Sequence, residues 1–376
     1  MWRLDDEQRM LRDTVQQFAR EEIAPRAAEL DSKKAFPDGW FDAIAELGLF
    51  GMTLSEDKGG AGLGDLAAVL AVEELAAACG STARVVATHL FQVVPAIESF
   101  GSDALQAEML EELAAGTSLG AIAYAERQAG CDLGGLETRA QMSGENGTLH
   151  GTKTYVTGAG VCRRLVVAAK TSEERNVHAL SLFLVDRDGE GVTVDGSPVS
   201  LGYRAAGAPT VMLAGAKGRL IGEVGQGAPI LHDLKGRANL GAATIAIGVA
   251  KAAYTQGVEY AKTRKTFDVP IAEHQAIAFK IADMATDLEA ARALVYQAAS
   301  AADAGDESFG RSAAIAKLFA TEAAQRCSFE AVQIFGGYGY SQEYPVERMY
   351  RDARMGTLSD GTSEMQRIAI AEASLA

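Results

Sequence analysis

The chain of 376 residues holds 50 acidic against 35 basic residues, a net charge of −15, with 48% hydrophobic and only 7% aromatic residues. That balance repels a nucleic-acid backbone or an anionic membrane surface, so an anionic ligand has to be met by locally placed arginines. The length allows two or three packed regions around a large core, and the Ala- and Leu-rich composition favours closely packed helices.

At the N-terminus, Arg3, Asp5, Asp6, Glu7 and Arg9 interrupt any apolar stretch that could act as a secretory signal. The longest apolar run, residues 240–250, is far below the roughly 20 residues of a membrane span. The expected location is the cytoplasm, without membrane insertion. Cys79, Cys131, Cys162 and Cys327 lack paired spacing and read as reduced packing residues.

Residues 1–118 carry helical periodicity. Leu11, Val15 and Phe18 recur on one face, and residues 66–78 form an Ala/Leu/Val run that includes Glu73 and Glu74. Gly59, Gly60, Gly62 and Gly64 break the pattern as a plain loop, since the Gly-Lys-Ser/Thr ending of a phosphate loop is missing. From 119 to 232 the texture changes to short β-type runs at 152–156, 165–169, 180–185 and 210–213, with no helix-length segment between them. This predicts an antiparallel sheet or small barrel rather than βαβ units, and Gly158-Ala-Gly160 lacks the third glycine and following helix of a dinucleotide fingerprint. From 233 to 376 helices return. Ile277, Ile281, Met284, Leu288, Ala291 and Val295 form one apolar stripe, Gly305 closes that helix, and residues 311–335 form the next.

Chemically loaded spacings are few. The histidines (His89, His150, His178, His232 and His274) are scattered, and neither a metal-ligand pattern nor a Gly-x-Ser-x-Gly elbow occurs. No metal is expected. Difficult chemistry would therefore fall to an organic cofactor.

Three segments in the right order resemble the acyl-CoA dehydrogenase superfamily. The first is Tyr124-Ala-Glu-Arg-Gln-Ala-Gly-Cys-Asp132 followed by Gly151-Thr-Lys-Thr-Tyr-Val-Thr-Gly158. The second is Tyr260-Ala-Lys-Thr-Arg-Lys-Thr-Phe267, continuing to Gln275. The third is Gln333-Ile-Phe-Gly-Gly-Tyr-Gly-Tyr340, then Tyr350-Arg-Asp-Ala-Arg354 and Ser359-Asp-Gly-Thr-Ser-Glu-Met-Gln-Arg367.

The resemblance implies an α+β fold: an N-terminal helical domain (1–118), a central antiparallel β-domain (119–232) and a C-terminal four-helix bundle (233–376). It also implies FAD. Tyr155 would cover the flavin ring and Thr157 would hydrogen-bond near its N5, with Tyr124, Ala125 and Cys131 alongside. Arg264 and Thr266 would bind the diphosphate, with Phe267 next to them, and Gln275 would reach the cofactor across a dimer interface. Gln333 would contact the adenine-side half, and Gly337 and Thr362 complete the cofactor set. Cys131, Arg237 and Gly361 would meet the substrate.

Asp360 occupies the place of the family's catalytic glutamate. It would take the α-proton of an acyl thioester while the β-hydride goes to flavin N5, with the thioester oxygen held by the N–H of residue 360 and the FAD ribityl hydroxyl. Burial against the acyl chain would raise its pKa toward working pH. Asp is one methylene shorter than Glu, and a misplacement of about 1 Å costs on the order of 100-fold in rate. A bulkier, branched or cyclic acyl group held closer would compensate. Some relatives place the base just before the position of Arg237, where this chain has Gly236. The acyl pocket is expected around residues 89–93.

Ala125, Arg127-Gln128 and Asp268 depart from the common pattern. The Glu-Arg-Gln-Ala-Gly run, with Arg204-Ala-Ala-Gly207, is similar to acyl-ACP dehydrogenases of polyketide extender-unit pathways, so the carrier is acyl-CoA or acyl-ACP. Implied partners are electron-transferring flavoprotein and further copies of the chain in a homodimer or homotetramer. Two alternatives stay open: a flavin oxidase or monooxygenase on the same fold, and a non-catalytic partner subunit of a heteromer.

Overall fold

A computed structural model describes residues 4–174, 176–196 and 200–375. The first helical region contains α1 (Asp6–Phe18), α2 (Ala27–Lys33), α3 (Asp42–Glu46), α4 (Gly64–Ala78), α5 (Gly80–Thr88), α6 (Val94–Phe100) and α7 (Asp103–Ala114). Its start follows local chemistry: the Asp5 side chain accepts from the N–H of Gln8, and the Gln8 side chain accepts from the N–H of Asp5, a capping box. α4 is almost wholly buried, its carboxylates included, with Val69, Leu70, Val72 and Leu75 fully enclosed. No neighbouring side chain caps it. The carboxylate of Asp303 accepts instead from the N–H groups of Asp65 (2.5 Å) and Leu66 (3.0 Å), so a group 238 residues away satisfies the helix N-terminus.

The middle region is a closed barrel. Strands β2 (Arg139–Ser143), β3 (Asn146–Lys153), β4 (Arg164–Lys170), β5 (Leu180–Asp186) and β7 (Thr210–Ile221) pair in the ring β4-β2-β3-β7-β5 and back to β4. β1 (Gly120–Ala123) joins β4, and β6 (Val192–Asp195) joins β7. β3 and β7 alternate buried and exposed residues, as strands with one wet face do, whereas β4 and β5 are buried on both faces. The expectation of an antiparallel sheet needs one correction. β1 runs parallel to β4, and β2 meets β4 in parallel at Arg139–Lys170. Hairpin signals identify only antiparallel neighbours, and β1 reaches β4 by a crossover that carries the β2–β3 hairpin within it. β3 also stops at Lys153, short of the predicted run, because Tyr155 adopts a left-handed φ of 55°.

α8 (Gly227–Thr263) opens the last region, followed by the β8 (Lys265–Thr266)–β9 (Val269–Pro270) hairpin, α9 (Gln275–Asp303), α10 (Phe309–Phe335), α11 (Val346–Gly356) and α12 (Ser363–Leu375). The hairpin turns on Phe267 and Asp268, both at positive φ, so the Asp that replaces a glycine is a residue that tolerates this conformation. The predicted stripe is the buried face of α9 at Met284, Leu288, Ala291 and Val295, and Gly305 (φ 62°) follows its end. α8 crosses α4 at close range. A Cβ on Gly248 would stand 2.5 Å from the Ala76 Cβ and the Glu73 carbonyl. Among the described residues no helix is long and apolar enough to cross a membrane.

Buried charge ties these layers together. Glu73, 2% exposed, accepts from Arg292 Nε (2.9 Å), Arg292 Nη2 (2.8 Å) and the Tyr296 hydroxyl (2.7 Å), which fixes α4 to α9. Removing one partner of such a pair leaves an uncompensated buried charge. Glu73→Ala is therefore expected to cost about 3–5 kcal/mol in chemical denaturation. The control Glu289→Ala, which removes the exposed partner of the same arginine, should cost at most about 1 kcal/mol.

Candidate active site

Segments from all three regions enclose a cavity of about 520 Å³, within the size range of small-molecule and cofactor clefts. α5 and the turn continuing it supply Arg84, Thr88 and Gln92, the segments following β1 and β3 supply Tyr124, Ala125, Tyr155 and Thr157, and the turn after α11 supplies Asp360 and Gly361.

That last turn is shaped by backbone geometry. Asp360 (φ 53°) and Gly361 (φ 85°) are consecutive left-handed residues, a conformation that Asp tolerates and Gly adopts without strain. Lys317, from the middle of α10, donates to the carbonyls of Ser359 (2.7 Å) and Gly361, and Gln366 Nε2 donates to the Gly361 carbonyl at 3.1 Å. Burial lowers the Lys317 pKa to about 8, against the opposing pull of Asp360.

The Asp360 side chain is 3% exposed and the Arg84 side chain 8%. Arg84 Nη1 donates to Asp360 Oδ2 at 2.5 Å and Nη2 to Oδ1 at 3.3 Å, with Gln92 Nε2 at 3.5 Å from Oδ1. This pair overturns the expectation of a raised carboxyl pKa. Burial does push Asp360 upward, but the Arg84 charge, its hydrogen bond and the Lys317 charge together outweigh burial and hold the carboxyl below its ordinary value. Although one methylene shorter than glutamate, Asp360 reaches the guanidinium directly.

A second buried pair sets the cavity wall. Lys153, with a side chain 0% exposed, donates to Glu126 Oε1 (2.6 Å) and the Tyr124 carbonyl (3.1 Å). Glu126 in turn accepts from the N–H groups of Glu137 (2.7 Å) and Thr138 (3.0 Å). Thr154 N–H donates to the Ala125 carbonyl (2.9 Å), locking the two motif segments side by side just past β1 and β3. Past this lock Tyr155 stands 65% exposed, and Thr154 Oγ1 is buried without a partner. Burial and the Asp360 charge push the Tyr124 phenol upward, so it stays protonated.

The sequence-predicted residues fall into groups. Tyr124, Ala125, Cys131, Tyr155, Thr157, Asp360 and Gly361 all line the cavity. Cys131 is exposed there, which corrects its reading as a packing residue, whereas Cys79, Cys162 and Cys327 are buried. Arg264, Thr266, Phe267 and Gln275 gather instead at the far end of α8, where Thr266 meets His274 (3.0 Å) and the Arg264 guanidinium lies over Tyr338 (5.7 Å). Gln333 and Gly337 reach the same end, since Phe335 stacks on Tyr260 at 4.0 Å. Thr362 lies outside the lining, where its hydroxyl accepts from the N–H of Met365 at the start of α12. Arg237 is turned to Asp65 (3.1 Å) and not to the cavity. Gly236 has no room for a carboxylate, as a Cβ there would lie 2.7 Å from the Phe309 ring.

Of residues 89–93 only Gln92 lines the cavity. His89 packs away, with Nδ1 accepting from Gly120 N–H (3.1 Å) and Nε2 donating to the Leu113 carbonyl (3.0 Å). Burial lowers its pKa to about 4. Sequence reasoning missed Arg84 and Lys317. Each is a lone charge inside a run of small or apolar residues that folds into a buried helix, and that was the available signal. Among the described residues no group of three or more His, Cys, Asp or Glu could hold a metal ion.

Comparison with known proteins follows the same three regions. Residues 5–117, 121–215 and 231–375 match the family models described as acyl-CoA dehydrogenase N-terminal, middle and C-terminal domains. The chain is 38% identical to a Bacillus subtilis (strain 168) protein named probable acyl-CoA dehydrogenase YngJ, over 98% of both chains. It is 37% identical to the mitochondrial short-chain specific acyl-CoA dehydrogenase of Sus scrofa, over 98% of this chain and 90% of that one. The structure of butyryl-CoA dehydrogenase from Megasphaera elsdenii is similar with a TM-score of 0.96, 34% identity and full coverage of both chains.

The buried pair at the cavity is testable without any ligand. Arg84→Met and Asp360→Asn each strand one member and should each cost about 3–5 kcal/mol. The double variant should cost clearly less than their sum, a coupling read from denaturation midpoints. Additive costs would contradict the pairing.

Proposed function

The chain belongs to the acyl-CoA dehydrogenase family, and on that premise we propose that it removes the α and β hydrogens of an acyl-CoA thioester, with Asp360 as the base. It is an oxidoreductase. The observation that carries the assignment is the single turn that presents a buried carboxylate, held ionised by Arg84, to the cavity that Tyr155 and Thr157 also line.

The residues present fit FAD. An unpartnered Thr154 hydroxyl and the outward Tyr155 ring offer a polar and a stacking contact, as the edge and face of an isoalloxazine require. Tyr124, Ala125, Cys131, Tyr155 and Thr157 would hold that end, with Thr362 close to it in the chain. Arg264 would take the diphosphate through paired donors, beside Thr266 and Phe267. Gln275, Gln333 and Gly337 complete the adenosine side. This second group does not line the cavity, and Phe267 within it is 91% exposed. Its cofactor contacts are accordingly assigned to the FAD of a neighbouring copy in a homo-oligomer. FAD, when bound, supplies the hydride acceptor.

The chain's own groups do the rest. Asp360 takes the α-proton from one side of the acyl chain, and its backbone N–H is a donor for the thioester oxygen, stabilising enolate-like charge. Gly361 leaves room for the thioester, and the apolar Leu231, Leu234 and Met365 exclude water from it. Electrons would leave to a carrier protein, for which the family resemblance supplies electron-transferring flavoprotein.

Asp360→Asn should purify yellow but lose anaerobic flavin bleaching by butyryl-CoA by about 10²–10⁴-fold, the span of general-base catalysis. Undiminished bleaching would overturn the assignment. Because the carboxyl is held below its usual range near pH 4, the free enzyme keeps its base ionised on acidification. The kcat/KM of the wild type should therefore stay flat from about pH 7 to about pH 5, with the base lost only below that. An acid limb near neutrality that disappears in Asp360→Asn would contradict the pairing.

A further inference from the structure

Of the residues lining the cavity, Arg84, Thr88, Gln92 and Leu234 are the ones almost fully buried, and three of the four are polar. Among the described lining residues the cations are Arg84 and Lys235 and the one carboxylate is Asp360. Lys317 adds a further positive charge that acts on Asp360 from behind the turn. The lining therefore has room, electrostatically, for another anion.

Arg84 shows where such an anion would sit. Asp360 occupies the Nη1–Nη2 edge of its guanidinium. The other carboxylate-binding edge of a guanidinium runs from Nε to Nη2, and here the Nε–H is buried with no partner. Gln92 Nε2 lies 3.5 Å from the same Asp360 Oδ1 that Nη2 reaches. A saturated alkyl end would leave the Arg84 Nε–H unpaired. A terminal carboxylate would satisfy it.

Resting on the dehydrogenase reading above, we propose that Arg84 is the specificity determinant of this site and that its substrate is a short acyl chain ending in a carboxylate, a dicarboxylic acid carried as its monothioester. The chain is short because Arg84 touches the very carboxylate that takes the α-proton, so the bound group lies only a few bonds from the α-carbon. The α C–H gives its proton to Asp360, the β C–H gives its hydride to oxidised flavin, and the double bond forms between them with the distal carboxylate unchanged. Sharing Arg84 with the substrate also loosens its hold on Asp360, which strengthens the base once substrate is in place.

The test compares anaerobic flavin bleaching by succinyl-CoA and glutaryl-CoA with that by butyryl-CoA, in wild type, Arg84→Gln and Arg84→Lys, with folding checked by near-UV circular dichroism. A wild-type kcat/KM at least about 100-fold higher for a dicarboxylic monothioester is expected, since a site built to pair a polar group rejects an analogue lacking it. Arg84→Gln should bring that ratio near parity, and Arg84→Lys, which keeps charge but loses the fork, should fall between. If Arg84→Gln does not fold, the wild-type and Arg84→Lys ratios decide. A wild-type preference for butyryl-CoA, or a ratio unchanged in the folded variants, overturns the inference while leaving the dehydrogenase reading intact. Bleaching by none of the three thioesters overturns that reading and this inference with it.

Discussion

The contact between the Asp360 carboxylate and the Arg84 guanidinium organises the whole cavity. Two unit charges taken out of water are costly unless they meet each other and their remaining donors are met as well. Here the carboxylate is met by one guanidinium fork, and the turn beneath it is fastened through its carbonyls by Lys317 and Gln366. A lone buried carboxyl would drift toward its neutral form, whereas this one is kept ionised and low in basicity until something competes for Arg84.

Holding that contact in register requires the three regions to move as one body. Charged groups bonded across the layers provide this, because each is satisfied only when both layers are present. Asp303 caps α4 from the end of α9, Glu74 of α4 meets Lys251 of α8 (2.6 Å), and Asp352 of α11 accepts from the Tyr203 N–H (2.6 Å) ahead of β7 of the barrel. α8 is the common mast. At 37 residues it spans about 55 Å, runs past the cavity with Leu231 and Leu234, and carries Arg264 at its far end. The two groups of candidate cofactor residues are thus the two ends of one rigid element and its neighbours.

Much of this was legible in the sequence. The order of helices, short strands and helices follows from periodicity, and the α9 stripe maps onto its buried face. The glycine-flanked Asp360 stood out through its surrounding motif. What was not legible shares one cause, which is that it depends on a partner far away in the chain. Arg84 lies 276 residues from Asp360, and nothing in a run of small apolar residues says which carboxylate a single arginine will meet. Burial of Asp360 could be anticipated from its setting, but the direction of its pKa shift could not, because the opposing charge was unknown. The parallel pairing of β1 with β4 escaped for the same reason, since local turn signals report only adjacent strands. Arg237 looked like a ligand contact by position, yet Asp65, on a helix 172 residues earlier, claims it.

The protonation state of the Asp360 carboxyl in the ligand-free protein tests this account most directly. Carbonyl-carbon NMR of protein carrying 13C-labelled aspartate, with the resonance identified by its loss in Asp360→Asn, reads that state across pH. With Arg84 holding the carboxylate, the signal stays at the ionised position on acidification to about pH 4, where an ordinary aspartate is already protonating. A carboxyl that titrates close to neutrality would mean that burial, and not Arg84, governs the site.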